Sequence, residues 1–166
     1  MSTDRVVPFE RPIDPPPDGL LLNAKDPRKN ARAWMFRAKL DGRLWFIAGQ
    51  FHVWESPAYR VLPVPELRSM LGAFLERSLK QISTTNLSVM PFQPTRDDIS
   101  QVVDALQQLT YRQAAHPCWL DDTAMDPREC VLCQNGVLHV PSGTLLPPTP
   151  MFFSVNALTF AFDSSA

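Results

Sequence analysis

With 166 residues, 45% of them hydrophobic and 20% charged, the chain is long enough for one packed domain and too short for two comfortable ones. A formal charge of −1 excludes binding of polyanions by bulk charge, and three cysteines, an odd number, exclude a disulfide framework and fit a reducing cytoplasm. No apolar run reaches membrane-spanning length and no signal-peptide pattern opens the chain, so no membrane partner is expected.

Of seventeen prolines, nine cluster near the two ends of the chain (Pro8, Pro12, Pro15, Pro16 and Pro17; Pro141, Pro147, Pro148 and Pro150) and limit where regular structure can run. Residues 1–24 are proline-rich and polar until Leu20, Leu21 and Leu22, and read as a mobile or strap-like arm. Residues 25–166 read as a single domain. Asp26 can cap a helix that has Pro27 at its first position and runs to Leu40, with Ala31, Trp34 and Met35 on one face. Within Lys25–Arg43, seven basic residues (Lys25, Arg28, Lys29, Arg32, Arg37, Lys39 and Arg43) face only Asp26 and Asp41. Such a cluster neutralises phosphates or solvates a helix face.

Asp41-Gly42 is a turn signal that opens a β-prone stretch. Leu44–Ala48 and Gln50–Trp54 are expected as strands around a turn at Gly49, with Tyr59–Leu62 as a third. A helix is expected over Pro65–Ile82, from the spacing of Leu67, Leu71, Phe74, Leu75 and Ile82. The next ten or so residues, with Pro91 and Pro94, are a connection. A further helix begins at Thr95, capped with help from Asp98, and buries Ile99, Val102, Val103, Leu106 and Leu109. Beyond Tyr111, Pro117–Leu120 leads through an acidic loop (Asp121, Asp122, Asp126, Glu129) to a strand at Cys130–Cys133. Asn135-Gly136 is expected as a tight-turn pair in left-handed backbone. Val137–Val140 and Thr144–Leu146 form a hairpin, and a hydrophobic tail, Met151–Phe162, packs back on the core. Helices and strands come in separate runs, so the fold class is α+β: an aromatic β-hairpin, two core helices, a second hairpin and a Pro-rich tail.

None of the six glycines precedes a lysine, so no phosphate-cradling loop is present. The acidic pairs Asp97-Asp98 and Asp121-Asp122 are adjacent, whereas two-metal chemistry needs carboxylates converging on one site. No catalytic residue, no enzymatic activity and no cofactor are therefore expected. A zinc site from His116, Cys118, Cys130 and Cys133 is a lesser alternative, because residues three apart on a strand point to opposite faces. His52, His116 and His139 are scattered without nucleophile partners, and His52 and His139 are expected to point outward from strands. Trp45 and Trp54, with Phe46 and Phe51, follow the basic cluster. Cations beside aromatic rings suit DNA, with phosphates on the cations and bases on the rings. The tentative DNA-binding set is Arg28, Lys29, Arg32, Arg37, Lys39, Arg43, Trp45 and Trp54, for single or double strands.

Two stretches carry a family resemblance. The first runs from Leu44-Trp45-Phe46 through Phe51-His52-Val53-Trp54 and Tyr59-Arg60 to Pro65-Glu66-Leu67-Arg68 and Phe74-Leu75-Glu76. The second runs from Pro117-Cys118-Trp119-Leu120 through Asn135-Gly136-Val137-Leu138-His139 and Ser142-Gly143-Thr144-Leu145-Leu146-Pro147 to Thr149-Pro150, Phe153 and Asn156-Ala157-Leu158. Together they resemble the domain that precedes the superfamily-three helicase in phage- and plasmid-type, poxvirus-like DNA primase–helicases. The signature residues are Trp54, Tyr59, Arg60, Pro117, Trp119, Asn135, Gly136, Leu138, Gly143, Pro147 and Pro150. The resemblance implies a non-catalytic linker domain that assists DNA engagement or ring assembly in replication. Its partners would be DNA, adjoining helicase and primase domains and further copies of itself, in the cytoplasm of a bacterial or phage-infected cell. The ATPase and its phosphate loop would follow this segment in the parent protein. The rival is an oligomerisation or docking collar without nucleic-acid contact.

Overall fold

The computed structural model describes residues 20–81 and 89–163. Of the expected arm, residues 1–19 lie outside the described residues, as does Ile82. Leu20–Ala24 belong to the packed body: β1 (Leu21–Leu22) pairs parallel with Leu79–Lys80, and Leu22 is buried against Leu75 and Phe92.

Helix α1 (Pro27–Arg37) starts where local chemistry dictates, with the Asp26 carboxylate accepting the Lys29 amide at 2.9 Å. It ends three residues before the expected Leu40. Lys39 turns into left-handed backbone (φ 55), and the Leu40 amide reaches back to the Met35 carbonyl at 2.8 Å, closing the helix end. Strands β2 (Leu44–Ile47), β3 (Gln50–Glu55) and β4 (Ala58–Leu62) form an antiparallel meander. The first connection is Ala48-Gly49, both at positive φ as a two-residue hairpin turn requires, so β2 stops one residue short of Ala48. The second is Ser56-Pro57, joined by a cis peptide.

Helix α2 (Val64–Glu76) is shorter than the expected Pro65–Ile82. After Arg77 the chain extends, because β5 (Leu79–Gln81) finds better partners for its peptide groups sideways, in β1 and in β6 (Val89–Pro91). Thus β6 lies inside the stretch expected to be a plain connection. Helix α3 (Arg96–Thr110) carries the full reciprocal cap: the Asp98 amide donates to Thr95 Oγ1 and the Thr95 amide to Asp98 Oδ2.

The meander is covered on both faces. On one face Leu44, Phe51, Val53 and Leu62 pack against Ala31, Trp34 and Met35 of α1, Leu67 and Leu71 of α2, and Val102, Val103 and Leu106 of α3. On the other face Ile47 and Tyr59 pack against Phe153, with Trp45, Trp54, Cys118 and Leu120 around them. That second cover is built from residues 116–163. It consists of β7 (Cys118–Trp119) paired with β11 (Phe152–Phe153), and a three-stranded sheet of β8 (Cys130–Cys133), β9 (Gly136–His139) and β10 (Thr144–Leu146). The fold is α+β: the described residues form three α-helices and several small, mostly antiparallel sheets. Among the described residues no helix is long and apolar enough to cross a membrane.

Two expectations change with this second cover. His52 was expected to face solvent but is buried at 6% exposure, because β3 is the central strand and Phe153 closes the far side, edge-on to the imidazole at 5.1 Å. Burial lowers the His52 pKa, with the Gln50 carbonyl at Nδ1 pulling the other way and the neighbouring His116 adding to the lowering. The Asn135-Gly136 pair also works differently. The two-residue connection is Gln134-Asn135, neither at positive φ, and Gly136 is the first residue of β9. At φ 153, a Cβ on Gly136 would sit 2.0 Å from the Leu146 carbonyl oxygen, so the glycine is required by the close passage of β10.

The tail past Phe153 packs back through its peptide groups. The Leu158 amide donates to the Leu132 carbonyl at 2.8 Å, and the Asn135 side chain makes two 2.9 Å bonds to the backbone of Phe162. Phe152, Phe153 and Ser154 are buried, whereas Val155, Leu158 and Phe160 leave their side chains exposed.

Candidate nucleic-acid interface

The structure divides the basic cluster. Alternation on α1 buries Asn30, Ala31, Trp34 and Met35, so Lys29, Arg32 and Phe36 share the outward face and Arg28 lies on one flank. Phe36 is 78% exposed. Arg37, at the other flank, turns into a groove between α1 and α2. This groove is a 530 Å³ recess walled by Trp34, Arg37, Ala38, Met70, Ala73, Phe74 and Arg77. A second recess of 370 Å³ shares Ala38 and Met70 with it and continues past Lys39, Leu40, Arg43, Val53, Trp54, Glu55, Arg60 and Leu62. The floor is apolar and aromatic, and the rim holds Arg37, Lys39, Arg43, Arg60 and Arg77.

The five cations differ in availability. Arg60 Nε meets Glu55 at 2.6 Å and its NH2 meets Glu66 at 2.9 Å, hydrogen bonds that raise its pKa and hold it as part of the wall. Arg43 lies over the Trp54 ring, 5.1 Å from its centroid. Lys39 stands at the helix end on a left-handed backbone that a lysine adopts at a cost of about 1 kcal/mol. Both tryptophans pack against the C-terminal cover; Trp54 also lines the second recess, whereas Trp45 does not and lies under the Arg112 guanidinium at 5.0 Å. Arg60 and Arg77 complete the rim. They stand outside the Lys25–Arg43 run, and only the docking of β4 and α2 beside α1 brings them in.

Charge follows the same division. Residues 20–115 contain thirteen Lys and Arg against eight Asp and Glu, whereas 116–163 contain one Arg against five Asp and Glu. The acidic pairs sit as expected at a helix start and in a loop: Asp98 is consumed in the α3 cap, and Asp121 accepts the Thr123 amide. The signature residues act as joints. Tyr59 donates its hydroxyl to the Pro150 carbonyl at 2.6 Å and its amide to Ser154, fastening the tail to the meander. Burial pushes the Tyr59 pKa up to about 12. Trp119 packs on Phe152, and Leu138 pairs with Val131 and Leu145. Pro117 follows a cis peptide, Gly143 turns the β9–β10 connection at φ 66, and Pro147 is exposed after β10.

Among the described residues no group of three His, Cys, Asp or Glu is gathered to hold a metal ion. His116 Nε2 instead accepts the Val155 amide at 3.0 Å. Burial raises the thiol pKa of both Cys118 and Cys130, with Glu129 and Asp126 adding to it at Cys130, while Cys133 is fully buried. His139 does have a hydroxyl neighbour, contrary to expectation: Nδ1 lies 2.7 Å from Ser142 Oγ and Nε2 3.4 Å from Glu129. Ser142 Oγ also engages the amide and hydroxyl of Thr144, which makes the set part of an exposed hairpin turn.

No family model matches this chain, and no curated protein matches it.

Proposed function

We propose that the chain is a non-catalytic DNA-binding accessory domain that works beside the helicase and primase modules of a phage- or plasmid-type replication protein, in the cytoplasm of a bacterial or phage-infected cell. The observation that carries this reading is the groove: Lys39, Arg43 and Arg77, with Arg37 and the tied Arg60, stand along an apolar floor in a molecule whose net charge is −1. A local excess of that kind attracts a phosphate chain where the whole molecule does not. The acidic region 116–163 repels the same chain and confines it to the helical face. The resemblance of the two sequence stretches to the pre-helicase domain supplies the replication context.

The test is salt-titrated binding of an oligonucleotide to the intact chain. Lys39→Glu with Arg77→Glu should lower affinity at least tenfold and flatten the salt dependence by about two phosphates' worth of slope. Lys29→Glu with Arg32→Glu, on the outer face of α1, should do much less. Equal effects of both pairs, or no binding by the unaltered chain, would defeat the groove as the DNA surface.

The exposed Val155, Leu158 and Phe160 along the tail favour a second reading, a docking collar for neighbouring domains or copies. Sedimentation of the chain with and without the residues after Pro150 tests it.

A further inference from the structure

Trp54 takes part in two surroundings at once. It packs against the cluster of Ile47, Tyr59 and Phe153. It also lines the 370 Å³ recess, where Arg43, an exposed side chain, lies over its ring in a cation–π contact, 5.1 Å from the centroid. The Trp54 indole N–H is buried without an acceptor, so packing and Arg43 alone fix the ring. A cover of this kind is exchangeable, because a cation–π contact at an exposed site is weaker than the stacking of a nucleobase.

We propose, building on the DNA-binding reading, that the groove takes single-stranded DNA and that one base stacks on Trp54 in place of Arg43. The displaced guanidinium then joins Lys39 on the phosphates on either side of that base. A duplex cannot use the recess, because its bases are already stacked and paired inside the helix. The Glu55–Arg60 ion pair walls the recess on one side, while Leu62 and Met70 give it an apolar back.

The experiment compares a thymidine homopolymer with an abasic strand of the same length and charge, using the intact chain at fixed salt. The thymidine strand should bind roughly tenfold more tightly, the two having the same salt slope. Trp54→Leu should abolish that preference, and Trp54→Phe should retain part of it. Phe36→Ala, removing a ring that is 78% exposed on the outward face of α1, should leave the preference intact. If the unaltered chain binds both strands equally, the stacking inference is overturned while the phosphate-tracking groove stands; this comparison needs no substitution to fold. If Trp54→Leu keeps the preference, or Phe36→Ala removes it, the platform lies elsewhere and the inference fails. Binding of neither strand would bring down the DNA reading itself.

Discussion

Residues 20–115 and residues 116–163 reach order by different means. The first region hides whole side chains: Leu67, Leu71, Leu75 and Leu106 have no exposed surface, and three helices clamp one face of the meander. The second region is a set of two- to four-residue strands around a small cluster (Leu132, Val137, Phe152), fastened by peptide groups and by single polar side chains such as Tyr59 and Asn135. The first region thus rests on one large side-chain core, and the second on a smaller cluster reinforced by backbone hydrogen bonds. The charge division runs along the same line, so the firmly packed part is also the part that can address an anion.

The comparison can be broken most severely in the helical core. Leu106→Ala removes a side chain at 0% exposure between helices and meander, and should cost about 3 kcal/mol in urea unfolding. A loss below about 1 kcal/mol would mean that this core is less tightly packed than described. In the C-terminal region the largest single effect should come from adding one methyl. Gly136→Ala meets the Leu146 carbonyl and should cost about 2 kcal/mol, with the β8–β10 sheet losing amide-exchange protection before the helices do. Simultaneous loss in both regions would show that they open as one unit.

A smaller effect should appear at the joint between the regions. In the folded chain Tyr59 keeps its proton up to about pH 12, against 10.0 for an ordinary tyrosine. The unfolded chain thus ionises first, and stability that is complete below pH 10 should drain away between about pH 10 and 12. Tyr59→Phe should cost about 1 kcal/mol at neutral pH through the lost bond to Pro150 and should lack this residue's share of the alkaline fall. Parallel alkaline profiles for the two proteins would refute the assignment.

Much of the helical region could be read in advance because its signals are local. Asp26 with Pro27 and Thr95 with Asp98 mark helix starts within four residues, and Ala31, Trp34 and Met35 mark the buried face within one turn. The end of α2 could not be read in that way. Whether Leu79–Gln81 continue a helix or extend depends on β1, nearly sixty positions earlier, and on β6. His52 was misplaced for the same reason, since the residue that covers it is Phe153. The basic run Lys25–Arg43 was visible, but helical periodicity splits it between a solvent face and a groove, and Arg60 and Arg77 join only through packing. Gly136 was recognised as necessary for the wrong reason, because the neighbour that forbids a side chain there is the passing strand β10.

Asn135 holds Phe162 by its peptide amide and carbonyl, and Leu158 and Phe160 are likewise tied to Leu132 and Gln134 through backbone atoms. A segment gripped by atoms common to every amino acid does not dictate which amino acids it contains. Positions 158 and 160 can therefore be rewritten, to a cysteine for a fluorophore or a spin label, at little expense to the fold. Such a reporter would sit on the far side of the meander from the groove, fixed in place yet clear of anything that enters it.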